Sequence, residues 1–231
     1  MSAVTAGAIA PLVLFDLDGT LLDTAPDLAA AANRVLAEEG RAALPESTLR
    51  PFVSKGARAM LAVAFPELDD ASRDALLPAF LRHYGAALVV GTRPYPGIEA
   101  ALAAIEAAGS RWGVVTNKPE ALARGVVAGI GWGTRCSALV GGDTLPVRKP
   151  DPAPLLLACE RVGVPAADCV YVGDDARDVL AAQAAGMPAV AAMWGYHEDH
   201  EDPRAWGAER AAADGRALLE PGMLASARSL A

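Results

Sequence analysis

The chain has 231 residues, 53% of them hydrophobic and 21% charged, with a mean hydropathy of +0.26. That composition excludes a disordered chain and allows one full core with a small second unit. A net charge of −8 and a pI of about 4.9 exclude a general binder of phosphate backbones, which needs an excess of Lys and Arg, but not a pocket that is locally positive toward a small anion.

The first apolar run, Leu12–Phe15, reads as a strand. It stops in Asp16-Leu17-Asp18-Gly19-Thr20, either a strand-ending acidic turn or a site that needs two carboxylates in one place. Asp16 and Asp18 are two apart, so in extended chain they leave the same face. From about Ala25 to Thr92 no strand is expected. Instead there are helical stretches: one from Pro26 to Gly40, others near Pro45–Phe52, Ala57–Phe65 and Ala71–Tyr84. This segment is too long for one crossover, so it reads as an all-helical insertion, residues 24–92, in a core of residues 1–23 and 93–231. Asp23 and Asp27 read as helix-entry residues. Lys55 and Arg58, beside Gly56, read either as substrate contacts or as a solvated helix start.

The chain rejoins the core near Arg93-Pro94-Tyr95-Pro96-Gly97. A helix over Gly97–Ala108 carries Ile98, Leu102 and Ile105 at steps of three and four and stops at Gly109. Strands follow at Trp112–Thr116, Ala138–Val140, Cys169–Val172 and Ala189–Met193, alternating with helices at Pro154–Val162 and Asp178–Ala185. Such alternation predicts an α/β fold, a Rossmann-like doubly wound parallel sheet with the helical insertion added. Trp112, Trp132 and Trp194 read as packing residues. Three cysteines without a CxxC suggest neither a disulfide framework nor a zinc site, so a reducing, cytoplasmic location is expected. With no Lys or Arg before Arg34 and no apolar run of roughly 18 residues, neither a signal peptide nor a membrane span is expected.

Polar clusters follow three of these strands: Asp16 to Thr20, Thr116-Asn117-Lys118-Pro119, and Gly173-Asp174-Asp175 with Asp178. Ligands of open parallel sheets bind at the carboxyl ends of strands, which predicts that the clusters meet. Asp174 and Asp178, four apart, are expected on one face of a helix beginning near Asp174. Carboxylates so crowded need a cation, and Mg²⁺ suits oxygen ligands beside phosphate. Thr116 and Asn117 before Pro119 form an expected helix N-cap, attractive to an anion, while Lys118 reads as exposed. Lys149, in "VRKPDP", is placed to balance phosphoryl charge. "HEDHED", His197 to Asp202, lacks metal-ligand spacing and reads as a solvated loop.

"DLDGT", "TNK", "RKPDP" and "GDDARD", in this order, resemble the haloacid dehalogenase (HAD) superfamily over essentially the whole chain. The helical insertion sits where that family carries a C1 cap. "DGTLLDTAPDL", "GGDTLPVRKPDPAPLL" and "AAGMP" resemble its phosphoglycolate phosphatase group. "KGARAML", "WGVVTNKP" and "GYHEDHEDPRAWGA" are closer to the N-acetylmuramate 6-phosphate phosphatases. The resemblance implies a Mg²⁺-dependent phosphatase with Asp16 as nucleophile and Asp18 as general acid and base. It implies metal ligation by Asp16, the Asp18 carbonyl and Asp174, and phosphate contacts from Thr116 and Lys149 with Asn117 nearby. Asp175 and Asp178 are implied to orient the metal shell and Lys149. The expected partner is a small phosphorylated metabolite, with no nucleic acid or membrane, and the expected assembly a monomer or homodimer. The alternatives are a dehalogenase, which needs neither Asp18 nor the metal cluster, a phosphoglucomutase-like transfer, and a non-catalytic phospho-acceptor.

Overall fold

The computed structural model describes residues 9–198 and 200–228. The strands are β1 (Leu12–Phe15), β2 (Leu22–Asp23), β3 (Arg93–Pro94), β4 (Arg111–Val115), β5 (Leu139–Val140), β6 (Cys169–Gly173), β7 (Ala189–Ala192) and β8 (Arg210–Ala212). The helices are α1 (Ala25–Glu38), α2 (Glu46–Leu49), α3 (Ala57–Ala64), α4 (Asp70–Gly85), α5 (Ile98–Ala107), α6 (Glu120–Gly129), α7 (Ala153–Val162) and α8 (Ala176–Ala184).

The main sheet runs β5-β4-β1-β6-β7-β8, and every pairing in it is parallel. β1 is therefore central, with Leu12 beside Arg111 on one flank and Cys169 on the other. Its four residues are fully buried because successive side chains enter different cores. Val13 and Phe15 face a core shared with α5, α6 and the helices α1, α3 and α4. Leu12 and Leu14 face the second core, built from Leu155 and Ala158 of α7, Val179 of α8 and Tyr171. Both sheet faces are thus covered, which is why the strands read as continuous apolar runs rather than as alternating ones.

Four elements were not anticipated from the sequence. Helix α6 is an Ala- and Gly-containing stretch after Pro119. The edge strand β8 carries only Arg210, Ala211 and Ala212, with no β-branched residue to mark it. The two-residue strands β2 and β3 pair antiparallel, Leu22 with Pro94 and Asp23 with Arg93, where the chain leaves and re-enters the sheet layer. Two capping expectations are also revised. The N-cap of α6 is Pro119 rather than Thr116 or Asn117, and the Glu120 N–H is held by Asp143 Oδ1 at 2.7 Å. Helix α8 starts at Ala176, not near Asp174. Asp175 is its N-cap and Asp178 completes a capping box, so Asp174 lies before the helix and does not share a helical face with Asp178.

Asp27, in the first turn of α1, ties the outgoing chain to the returning one. Its carboxylate accepts from the N–H groups of Val90 (3.1 Å), Gly91 (2.7 Å) and Thr92 (2.8 Å) and from the Thr92 hydroxyl (2.7 Å). Burial pushes the carboxyl up, but the bonds from Thr92, Gly91 and Val90 outweigh it and hold the pKa below the ordinary value. A depressed folded-state pKa means that this stabilisation is full above the unfolded value of about 4 and is lost as pH falls through the folded value. Asp27→Asn is expected to lower unfolding stability by about 2 kcal/mol at pH 7. In urea titrations the gap to wild type should narrow as pH drops below about 4.

Candidate active site

Because the strands are parallel, the residues that follow β1, β4 and β6 emerge at one sheet end. Asp16 follows β1, Thr116 follows β4, and Asp174 follows β6. Lys149 reaches the same end from the long loop after β5, across a cis Lys149–Pro150 bond.

The turn after β1 is shaped for close approach. Leu21 and Leu22 donate back to the Leu17 carbonyl, and Gly19 donates to Leu22. Gly19 sits at φ +86°, and a Cβ there would lie 2.1 Å from Asp174 Oδ2. Any side chain at position 19 would therefore collide with Asp174, apart from the cost of the left-handed conformation. The indole N–H of Trp194 donates to the Thr20 carbonyl at 3.0 Å, so this tryptophan holds the turn as well as packing.

Lys149 is the centre of the polar arrangement. Its ammonium is buried and donates to the Val115 carbonyl (2.9 Å) and the Tyr171 hydroxyl (2.8 Å). It also lies 3.1 Å from Asp16 Oδ1 and 2.7 Å from Asp178 Oδ1. Burial alone would drive its pKa down; the charges of Asp16 and Asp178 more than reverse this and raise it. Asp178 is pushed up to about 7 by burial, against the pull of Lys149 and with repulsion from Asp16 added. Asp174 is pushed well above its ordinary value by burial and by Asp16 and Asp178. Its partners are neutral: the Thr20 hydroxyl (2.8 Å), the Ser54 hydroxyl (2.8 Å) and the Tyr196 N–H (3.0 Å).

Asp16, Asp174 and Asp178 each offer an oxygen within 4.8 Å of the others, and all three are buried. The five nearby carboxylates meet three cations. Lys118 is matched to Asp18, Arg177 to Asp175, and Lys149 to Asp16 and Asp178. Asp174 has no counter-charge. A buried, all-oxygen set with unbalanced negative charge fits a hard divalent cation. Asp178, expected only in support, belongs to this cluster. The Asp18 carboxylate does not.

Asp18 turns instead to Thr24 and Lys118. Its Oδ1 accepts from the Thr24 hydroxyl at 2.6 Å and from Lys118 Nζ at 2.7 Å, and its Oδ2 lies 3.0 Å from the same ammonium. The expectation that Lys118 is exposed is wrong: it is buried, with its ammonium 4.4 Å from the centre of the Tyr84 ring. Burial opposes its charge, but Asp18 raises the pKa overall. The ion pair with Asp18 compensates for desolvation, an outcome that depends on a contact 100 residues apart in sequence and has no local signature.

Thr116 is buried and its hydroxyl oxygen accepts the Lys118 N–H at 3.3 Å. Asn117 donates to the Lys149 carbonyl at 3.0 Å, leaving its Oδ1 buried without a partner. These residues, with Asp16 and Asp18, line a cavity of about 230 Å³ between the sheet end and the helices α1, α3 and α4. Its opposite wall is largely apolar, with Leu28, Val53, Met60, Phe80 and Leu122.

Lys55 and Arg58 also line this cavity but are engaged elsewhere. Arg58 pairs with Asp74 at 2.7 Å. Lys55 pairs with Glu198 and, at 3.3 Å, with Glu201. The stretch read as a solvated loop therefore contacts the helical segment; Asp199 lies outside the described residues, and His197 is half-buried with its ring centre 5.3 Å from that of Trp206. Arg177 bridges the same layers. It pairs with Asp175 at 2.6 Å and donates to the Ser54 carbonyl at 2.8 Å. Burial pushes the Asp175 carboxyl up, and Arg177 overrides it to leave the pKa low.

Residues 13–192 match the model of the haloacid dehalogenase-like hydrolases. The chain belongs to this family. The hydrolase is 54% identical over 209 residues to a phosphoglycolate phosphatase of Xanthomonas campestris pv. campestris strain 8004, covering 90% of this chain and 95% of that protein. It is 44% identical over 198 residues to an N-acetylmuramic acid 6-phosphate phosphatase of Pseudomonas aeruginosa PAO1, covering 85% and 88%. A crystal structure of a Haemophilus somnus 129PT protein described as a predicted phosphoglycolate phosphatase superposes on the hydrolase with a TM-score of 0.81 at 29% identity, covering 91% of this chain and 96% of that one.

Lys118→Met in this hydrolase should leave the partly buried Asp18 without its cation and cost about 3 kcal/mol of unfolding stability. The double change Lys118→Met with Asp18→Asn should recover most of that loss in urea denaturation, since no uncompensated charge then remains.

Proposed function

We propose that this hydrolase cleaves a small phosphate monoester of the 2-phosphoglycolate type through a covalent phosphoaspartyl intermediate on Asp16. The chain is a phosphoric monoester hydrolase by family and by its relatives. The observation that carries the finer reading is the buried Lys149 ammonium 3.1 Å from Asp16, a carboxylate that lines a cavity large enough for a metabolite.

In this reading an Asp16 oxygen attacks phosphorus and the bond to the leaving oxygen breaks. Asp18, held by Thr24 and Lys118, gives a proton to that oxygen and then takes one from the water that cleaves the phosphoaspartate. Phosphate and free Asp16 result. Lys149 and Thr116 hold phosphoryl oxygens. Asp178 and the Tyr171 hydroxyl fix Lys149, while Asp175 supports the start of α8. Asp16, Asp174 and the Asp18 backbone carbonyl are the proposed ligands of Mg²⁺, whose charge would neutralise the phosphoryl group and make Asp16 approachable. Residues 24–92 serve as a cap over a core of residues 1–23 and 93–231, excluding water and shaping the leaving-group pocket. A cytoplasmic location suits the free thiols of Cys159 and Cys169, 3.5 Å apart.

A second reading, hydrolysis of an N-acetylmuramic acid 6-phosphate-like sugar ester, is favoured by the size and apolar wall of the cavity. Asp16→Asn should abolish phosphate release from every ester while circular dichroism remains that of wild type; surviving turnover would remove Asp16 as nucleophile. Asp18→Asn should lower kcat by about 10²- to 10⁴-fold. Chelation by EDTA should silence the enzyme, with Mg²⁺ restoring phosphate release.

A further inference from the structure

We propose that Arg148 reads a second negative charge carried by the leaving group of the ester. The inference rests on the phosphatase reading above and names a specificity residue within it. Arg148 lines the cavity, yet the neighbouring Lys149, not Arg148, meets the carboxylates Asp16 and Asp178. Its side chain is exposed and without a bond. Of the chain's 20 Lys and Arg, all lying within the described residues, Arg34 and Arg148 are the two whose side chains form no ion pair or hydrogen bond. Every other cation is drawn to an acidic side chain or a carbonyl, as expected where 28 acidic residues compete for 20 basic ones. An arginine left bare at the mouth of a ligand cavity keeps its planar fork of donors for the ligand.

The apolar wall of the cavity packs the carbon skeleton, and Arg148 meets its anion. Lys55 and Arg58 are held by Glu198, Glu201 and Asp74, which leaves Arg148 as the uncommitted cation of the lining. A carboxylate and a second phosphoryl group both match the guanidinium fork, so the shared requirement is an anionic leaving group.

The test compares phosphate release, with Mg²⁺ present, from two pairs of esters. The first pair is 2-phosphoglycolate and 2-hydroxyethyl phosphate, which differ in the carboxylate. The second is fructose 1,6-bisphosphate and fructose 6-phosphate, which differ in the second phosphoryl group. Wild type should favour the charged member of one pair. Arg148→Met should lower the charged-to-uncharged ratio of kcat/KM in that pair at least tenfold, chiefly through KM, and Arg148→Lys should restore part of it. The pair that responds identifies the anion. Ratios unchanged by Arg148→Met in both pairs, or no preference in wild type, would overturn the role of Arg148 while leaving the phosphatase intact. Phosphate release from none of the four esters would overturn the reading of the substrate class and this inference together.

Discussion

The site is organised around one buried ammonium. Lys149 sits among Asp16, Asp178, the Tyr171 hydroxyl and the Val115 carbonyl, so a single cation on one long loop joins residues of β4 and β6, the residue after β1, and helix α8. Taking an ammonium out of water costs several kcal/mol unless charge and hydrogen bonds replace the solvent. Here both are supplied, and the geometry of the supply fixes Asp16 relative to the start of α8. The same interaction explains why Asp178 is needed twice, once to close the capping box with Asp175 and once to receive Lys149. A helix start and a cation site are the same structure, and neither is complete alone.

The helical segment is coupled to that arrangement through side chains of the site itself. Ser54 donates to Asp174, and Arg177, beside Asp175, donates to the Ser54 carbonyl. Lys55, next in sequence, reaches Glu198 and Glu201 in the loop after β7. Tyr84, at the end of α4, lays its ring against Lys118, which holds Asp18. Movement of residues 54–55 or of the α4 terminus therefore changes the surroundings of Asp174 and Asp18 directly. The helical segment is tied to the carboxylates through one hydrogen bond, Ser54 to Asp174, and one ring contact, Tyr84 to Lys118.

Much of this was legible in the sequence, for a physical reason. Central parallel strands are buried on both faces, so Leu12–Phe15 and Cys169–Gly173 stand out as apolar runs, and the polar residues that interrupt them mark the sheet end. Four motifs then suffice to bring Asp16, Thr116, Lys149 and Asp174 together. What stayed hidden depends on pairing rather than pattern. The burial of Lys118 requires Asp18, a residue 100 positions away. The strand β8 is added at an edge by register with β7 alone, and the antiparallel pair of β2 and β3 joins segments separated by the helices α1 to α4. The start of α8 was misplaced because Asp174, Asp175 and Asp178 are all plausible caps in sequence, and only the capping box distinguishes them.

An enzyme with a net charge of −8 must still admit a dianionic ester. The structure resolves this by separating the two electrostatic tasks. In the buried acidic cluster, carboxylates outnumber cations and leave Asp174 without a counter-charge, an arrangement that fits a divalent ion. At the mouth the balance reverses, since Arg148 is bare while the acids near the cavity are engaged by Lys118, Lys149 and Arg177. The bare arginine of the cavity lining and the uncompensated carboxylate of the acidic cluster follow from the same fact, that the basic side chains inside the site are already spent on its acidic ones.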